Sequence, residues 1–291
     1  MLVLFTDSDC DITKKQAKNL GCKLISMPYI IDDKEVKPYE DFEEFDAHPF
    51  YERLRNGTLP KTCAINPEKY KEYFEPEFKA GNDILYVHFS TAMSGTFNAM
   101  QIAVTELKET YPNVNFYDID TKGITINAYS IVVEIAKKAK EGMSAPELVK
   151  YGNELADHTA CYFFADSLKF FRNSGRVTNI QAVMGGLIGI KPILYMDENG
   201  MMTSIAKAKG RTKALQQLIQ YFDELGDDIH NHPIVIGHSD NLELAQKLGE
   251  LLVQKYGDSI KDEIEYVMVN PTAGSHCGPD GIGLCFHSLH K

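Results

Sequence analysis

The chain has 291 residues, 44% hydrophobic and 24% charged, which is enough for two domains with sizeable cores. A net charge of −11 without a basic run argues against nucleic acid and against an anionic membrane surface. Cys10, Cys22, Cys63, Cys161, Cys277 and Cys285 form no CxxC pair and no Cys/His grid, and neither a signal peptide nor a membrane-length apolar run is apparent, so a cytoplasmic protein without structural zinc or disulfides is expected.

In chain order, Leu2 to Phe5 reads as a strand that delivers Thr6, Asp7, Ser8, Asp9 and Asp11 at its carboxyl end, where open parallel sheets bind ligands. Asp9 and Asp11 resemble the aspartyl motif of haloacid-dehalogenase-like phosphatases, in which paired carboxylates hold magnesium and attack phosphate. The simpler reading has Asp11 or Thr13 capping a helix over Lys14 to Leu20. Leu24 to Ile31 predicts one strand, at an edge or ending because of Met27-Pro28, and Asp32-Asp33 then turns into a small hairpin through Val36. Phe42, Phe45 and Phe50 lead into a helix around Pro49 to Arg55. Asn66 and Pro67 cap and open the next helix, which frees the Thr62 hydroxyl from capping and leaves it for a ligand.

The run Asp83 to Met100 predicts a buried strand over Ile84 to Val87, a hydroxyl-rich loop, and a helix bearing Phe97 and Met100 on its apolar side. Ser90, Thr91, Ser94, Gly95 and Thr96 therefore surround a helix N-terminus. Its unpaired N–H groups and dipole suit an anion. The alternative is that Ser94 or Thr96 only caps the helix. Val114 to Ile119 predicts a fourth strand, and helices over Asn127 to Lys140 and Ala145 to Ala156 complete a doubly wound parallel sheet over residues 1–158. No dinucleotide or P-loop glycine signature follows a strand.

Beyond His158 the pattern changes to an α+β domain with a mixed or antiparallel sheet, over 159–291. Cys161 to Phe164 is a strand, Asp166 to Phe171 a short helix, and Arg172 to Arg176 a polar turn. Ile180 to Leu187 is helical with Gly185-Gly186 near its end. Asp197 to Gly200 turns a hairpin, helices span Arg211 to Leu225 and Leu242 to Tyr256, and strands cover Ile234 to Gly237, Ile264 to Val269 and Gly283 to His287. Thr272 to Gly281 reads as a glycine-rich loop with His276 at its centre. Arg176, Lys191, Lys207, Lys209 and Arg211 concentrate positive charge, either as a solvated face or to meet a phosphate or an acidic partner.

Thr6-Asp7-Ser8 with Asp11, Pro60-Lys-Thr62, Ser94-Gly95-Thr96, Asp120-Thr121, Asp166-Ser-Leu168, Gly175-Arg176, Ile190-Lys191-Pro192, Lys207 and His276-Cys-Gly278-Pro279 together resemble the DegV family over nearly the whole chain. That resemblance implies a two-domain, non-catalytic bacterial protein that holds a long-chain fatty acid between its domains, without a cofactor or metal. It further implies a separate ATP-dependent fatty acid kinase subunit that converts the presented carboxylate to acyl phosphate. By the same resemblance Thr62, Ser94, Gly95 and Thr96 bind the carboxylate, and Arg176, Lys209 and His276 support phosphoryl transfer or kinase docking. The chain departs from the family pattern at Cys63, Ser174, Lys209 and Asp280. Lysine at 209 lacks the bidentate fork of arginine. From a different class, a serine hydrolase using Ser94 with His276 is the alternative, although Ala92 and Thr96 stand where a nucleophile elbow has glycines. A magnesium-dependent phosphatase using Asp9 and Asp11 is the other.

Overall fold

A computed structural model describes residues 1–178 and 189–291, so the helix expected over Ile180 to Leu187, with Gly185 and Gly186, lies outside the described residues. The fold is α/β. β1 (Leu2–Asp7), β2 (Cys22–Ile25), β6 (Asp83–His88) and β7 (Phe116–Asp120) form a parallel sheet in the order β2-β1-β6-β7. Register puts Phe5 beside Tyr86 and Ile84 beside Phe116, and this face meets Phe74 of α3 (Pro67–Lys79). The opposite face carries Ile119, which packs on α6 (Ala145–Asp157). Helices thus cover both faces, as a buried parallel sheet requires.

Gly152 of α6 shows how close that contact is. A Cβ there would stand 2.7 Å from Ile119 Cδ1 and 3.1 Å from Ile135 Cδ1. Alanine improves helix propensity by about 1 kcal/mol, but overpacking costs about 1–3 kcal/mol. Gly152→Ala is therefore expected to destabilise the protein by up to about 2 kcal/mol, read as a lower denaturant midpoint with unchanged slope.

Among the described residues a second, mixed sheet has the order β13-β12-β14-β8-β10-β11-β9, with β8 (Thr159–Phe164), β9 (Val177–Thr178), β10 (Ile190–Met196), β11 (Met202–Lys209), β12 (Ile234–His238), β13 (Ile264–Met268) and β14 (Ile282–His287). One face packs Phe164, Ile236 and Phe286 against Leu218 and Phe222 of α8 (Arg211–Leu225) and Leu248 and Leu252 of α9 (Leu242–Tyr256). The other face, with Cys161, Leu194, Met196, Val235 and Cys285, joins the core of the parallel sheet. The bridge is α5 (Ile126–Lys140), which contacts both sheets and is buried along most of its length.

A small antiparallel sheet, β4-β3-β5, stands apart with its own core. It comprises β3 (Tyr29–Ile31), β4 (Lys34–Val36) and β5 (Lys61–Thr62), and packs with Phe50, Tyr51 and Leu54 of α2 (Ala47–Arg55). Asp32 and Asp33, at φ 52° and 58°, make its tight hairpin turn. The single strand expected over Leu24 to Ile31 is corrected here. Pro28 cannot donate to a ladder, so the chain breaks at Met27-Pro28 into β2, an edge strand of the parallel sheet, and β3 of the small one. The short helix expected from Asp166 begins later, as α7 (Lys169–Ser174).

Candidate functional site

The loop after β6 assigns most of its hydroxyls to the fold. Ser90 Oγ donates to the Gly200 carbonyl at 2.8 Å, pinning the β10–β11 hairpin, and Thr91 bonds to Asp120. Ser94 is extended and half-buried, and it accepts from the Thr96 N–H at 3.2 Å. Gly95 then opens α4 (Thr96–Thr110) without a side-chain cap. Thr96 is buried, and its Oγ1 meets the Tyr70 hydroxyl at 3.2 Å. The helix start keeps open N–H groups beside the Ser94 hydroxyl, the arrangement that favours an anion.

Thr62 reaches the same place from β5. Its Oγ1 lies 2.8 Å from His276 Nε2. The glycine-rich loop expected over Thr272 to Gly281 is corrected here, because His276 sits in the last turn of α10 (Pro271–Cys277). Asn270 caps that helix by accepting from the Thr272 and Ala273 N–H groups, and Pro271 occupies its first position. Burial, with Arg176 adding to it, pushes the His276 imidazole down to about 4, so the ring is neutral near pH 7. Arg176 follows Gly175, which takes the left-handed conformation at φ 67° that glycine favours.

Thr62, Ser94, Gly95, Thr96, Arg176 and His276 all line one cleft with about 1200 Å³ of empty space, its open mouth included. Phe89, Met93, Phe163, Phe171, Met196 and Met202 supply much of its apolar wall. A largely apolar cleft that also presents hydroxyls and a helix N-terminus suits an amphiphile with an anionic head.

A model of the DegV family, described as uncharacterised, matches residues 1–289. The chain belongs to the DegV family. A DegV domain-containing protein of Clostridium perfringens is 35% identical over 98% of this chain and 96% of its own length. A solved DegV family protein from Thermus thermophilus, described as fatty acid binding, superposes with a TM-score of 0.84 at 20% identity over 99% of both chains. Another from Eubacterium eligens, loaded with heptadecanoic acid, gives 0.83 at 22% identity over 99% of both. These structures share the DegV fold with this chain.

Other sequence candidates in this DegV chain fall elsewhere. Lys209 is exposed on β11 and does not line the cleft. Lys191 and Arg211 converge on Asp166, at 2.6 and 2.9 Å, and hold its carboxyl below the usual range against the upward push of burial. Their charge is thus largely answered within the fold. Arg55 similarly joins Asp240 and Asp280, at 2.7 and 3.1 Å, tying α2 to the far sheet. Asp11 accepts from the backbone and side-chain N–H groups of Asn270, at 2.8 and 2.7 Å, and orders the start of α10. Asp9 lines the cleft, but among the described residues no group of three or more His, Cys, Asp or Glu side chains is placed to hold a metal. The His276 ring is committed to Thr62 rather than to Ser94, so the Ser94–His276 hydrolase pair is not assembled here.

Sequence reasoning missed Thr125, Gly237 and Gly283, which also line the cleft. Thr125 has φ 54°, a strained conformation for a β-branched residue, and no local sequence signal announces it.

No helix among the described residues is long and apolar enough to cross a membrane.

Proposed function

We propose that this DegV chain binds a long-chain fatty acid in the cleft and presents its carboxylate to a separate ATP-dependent kinase subunit, without catalysing a reaction alone. The carrying observation is that the Thr62–His276 pair and Ser94, beside an open helix N-terminus, line the same largely apolar cleft. Burying each CH₂ contributes about 0.8 kcal/mol, so the roughly fourteen methylenes of a sixteen-carbon acid contribute on the order of 11 kcal/mol. A carboxylate buried with them is costly unless hydrogen-bonded. In this reading neutral His276 carries its proton on Nε2 and donates it to Thr62 Oγ1, which turns the threonine O–H toward the carboxylate. Ser94 and the Gly95 N–H complete the site, and the Thr96 N–H orients the Ser94 hydroxyl by donating to its oxygen. The solved relatives described as fatty acid binding and as loaded with heptadecanoic acid support the choice of ligand. We divide the chain at 158/159 into an N-terminal α/β domain that carries the carboxylate site and a C-terminal domain that covers the acyl chain, and place it in a reducing cytoplasm, in keeping with its six free thiols.

In the kinase step a carboxylate oxygen attacks the γ-phosphorus of ATP on the partner and ADP leaves. Arg176 and His276 stand beside the attacking oxygen, and exposed Lys209 serves docking. The test is acyl-phosphate capture as hydroxamate from fatty acid, ATP, this chain and the kinase subunit. Product is expected only with all four components, and product from this chain without the kinase contradicts the reading. Lys209→Ala is expected to raise the kinase KM for the loaded chain severalfold and leave fatty acid affinity unchanged. Lost fatty acid binding in that variant would refute the docking role.

A further inference from the structure

Gly237 and Gly283 stand directly opposite each other on β12 and β14, and Gly283 also pairs with Phe163 on β8. Neither glycine has a positive φ, so backbone conformation does not require glycine at either position. A side chain does. A Cβ on Gly237 would lie 2.6 Å from Ile126 Cγ2, and one on Gly283 would lie 3.0 Å from Ile126 Cδ1. The paired glycines therefore form a socket in the sheet, filled by the first residue of α5.

Ile126, Gly237 and Gly283 all line the cleft. The residue before Ile126 is Thr125, held at φ 54° with its N–H donated to the Asp9 carbonyl at 2.8 Å. Strain of this kind persists where the surroundings over-determine it, and here it aims the start of α5 at the socket.

We propose that Ile126, seated in the Gly237/Gly283 socket, is a specificity-determining residue that limits how long an acyl chain the cleft accepts. The inference rests on the fatty acid reading above. Truncating Ile126 opens the socket to the cleft and adds room for further methylenes. A methyl group on Gly237 forces Ile126 toward the cleft and removes room.

The experiment incubates delipidated wild-type protein, Ile126→Ala, Ile126→Val, Gly237→Ala and the Gly237→Ala/Ile126→Ala double variant with an equimolar ladder of straight-chain saturated fatty acids from laurate to behenate. Bound acids are then extracted and quantified by mass spectrometry. Ile126→Ala is expected to raise the ratio of long to short bound acids by about tenfold, with a shift of up to about fourfold for Ile126→Val, which is folded even if the alanine variant is not. Gly237→Ala is expected to shift the distribution to shorter acids, and the double variant to return toward wild type. Wild type that binds acids while the Ile126 variants keep its distribution overturns this inference alone. Wild type that binds none of the ladder overturns the fatty acid reading and this inference with it.

Discussion

Replacing Thr62 and Ser94 together by alanine is expected to weaken fatty acid binding by about 10²- to 10⁴-fold. Hydrogen bonds to a charged group are worth about 1.5–3 kcal/mol each, and the two hydroxyls supply one apiece. The apolar cleft is untouched, so the loss falls on the head group. Titration of delipidated protein with palmitate checks the size of the effect. Thr62 lies on a two-residue strand and Ser94 is half-buried in a loop, so the variant should retain most of its thermal stability. Some loss is expected from the unpaired nitrogen left on His276, about 1–3 kcal/mol at most. Affinity within threefold of wild type would show that the carboxylate lies elsewhere.

The second large effect is on stability against pH. Burial raises Asp7 from 3.8 to about 6 and Asp11 to about 7, and raises Asp9 well above its usual value with help from Asp7 and Asp11. The folded state therefore keeps protons that the unfolded chain releases above about pH 4. More protons on the folded state means that stability falls as pH rises through the window from about 4 to 7, and is fully present below it. His276 acts in the opposite sense, because its folded value of about 4 lies below 6.5, so it adds stability as pH rises between those limits. Comparison with Asp11→Asn separates the two. Asparagine keeps the oxygen that accepts from Asn270 and tolerates the φ of 54° at this position. Between pH 5 and pH 8 the variant is expected to gain about 2–3 kcal/mol relative to wild type in denaturant-derived stability. Parallel pH profiles would mean that Asp11 is ionised in the fold at little cost.

The alternation of strands and helices was legible because buried strands and amphipathic helices leave distinct periods. Helices over Arg211–Leu225 and Leu242–Tyr256 have the bounds that their patterns predict. That Thr62 does not cap the next helix was legible, since Asn66 and Pro67 already open it. The same Asn-Pro signal, Asn270-Pro271, opens α10, yet the glycines that follow suggested a loop. Gly274 is there for a tertiary reason. Its Cβ would stand 2.5 Å from the Tyr51 hydroxyl, which donates to the Val269 carbonyl. The ties from Arg55 to Asp240 and Asp280 join residues distant in sequence, as does the seat of Ile126. Such pairings depend on topology, and no local spacing encodes them.

Mass spectrometry of an organic extract from freshly purified protein tests the central claim most directly. The account predicts close to one long-chain fatty acid per chain. Protein that is empty on purification, and that still takes up no fatty acid after incubation, would contradict it.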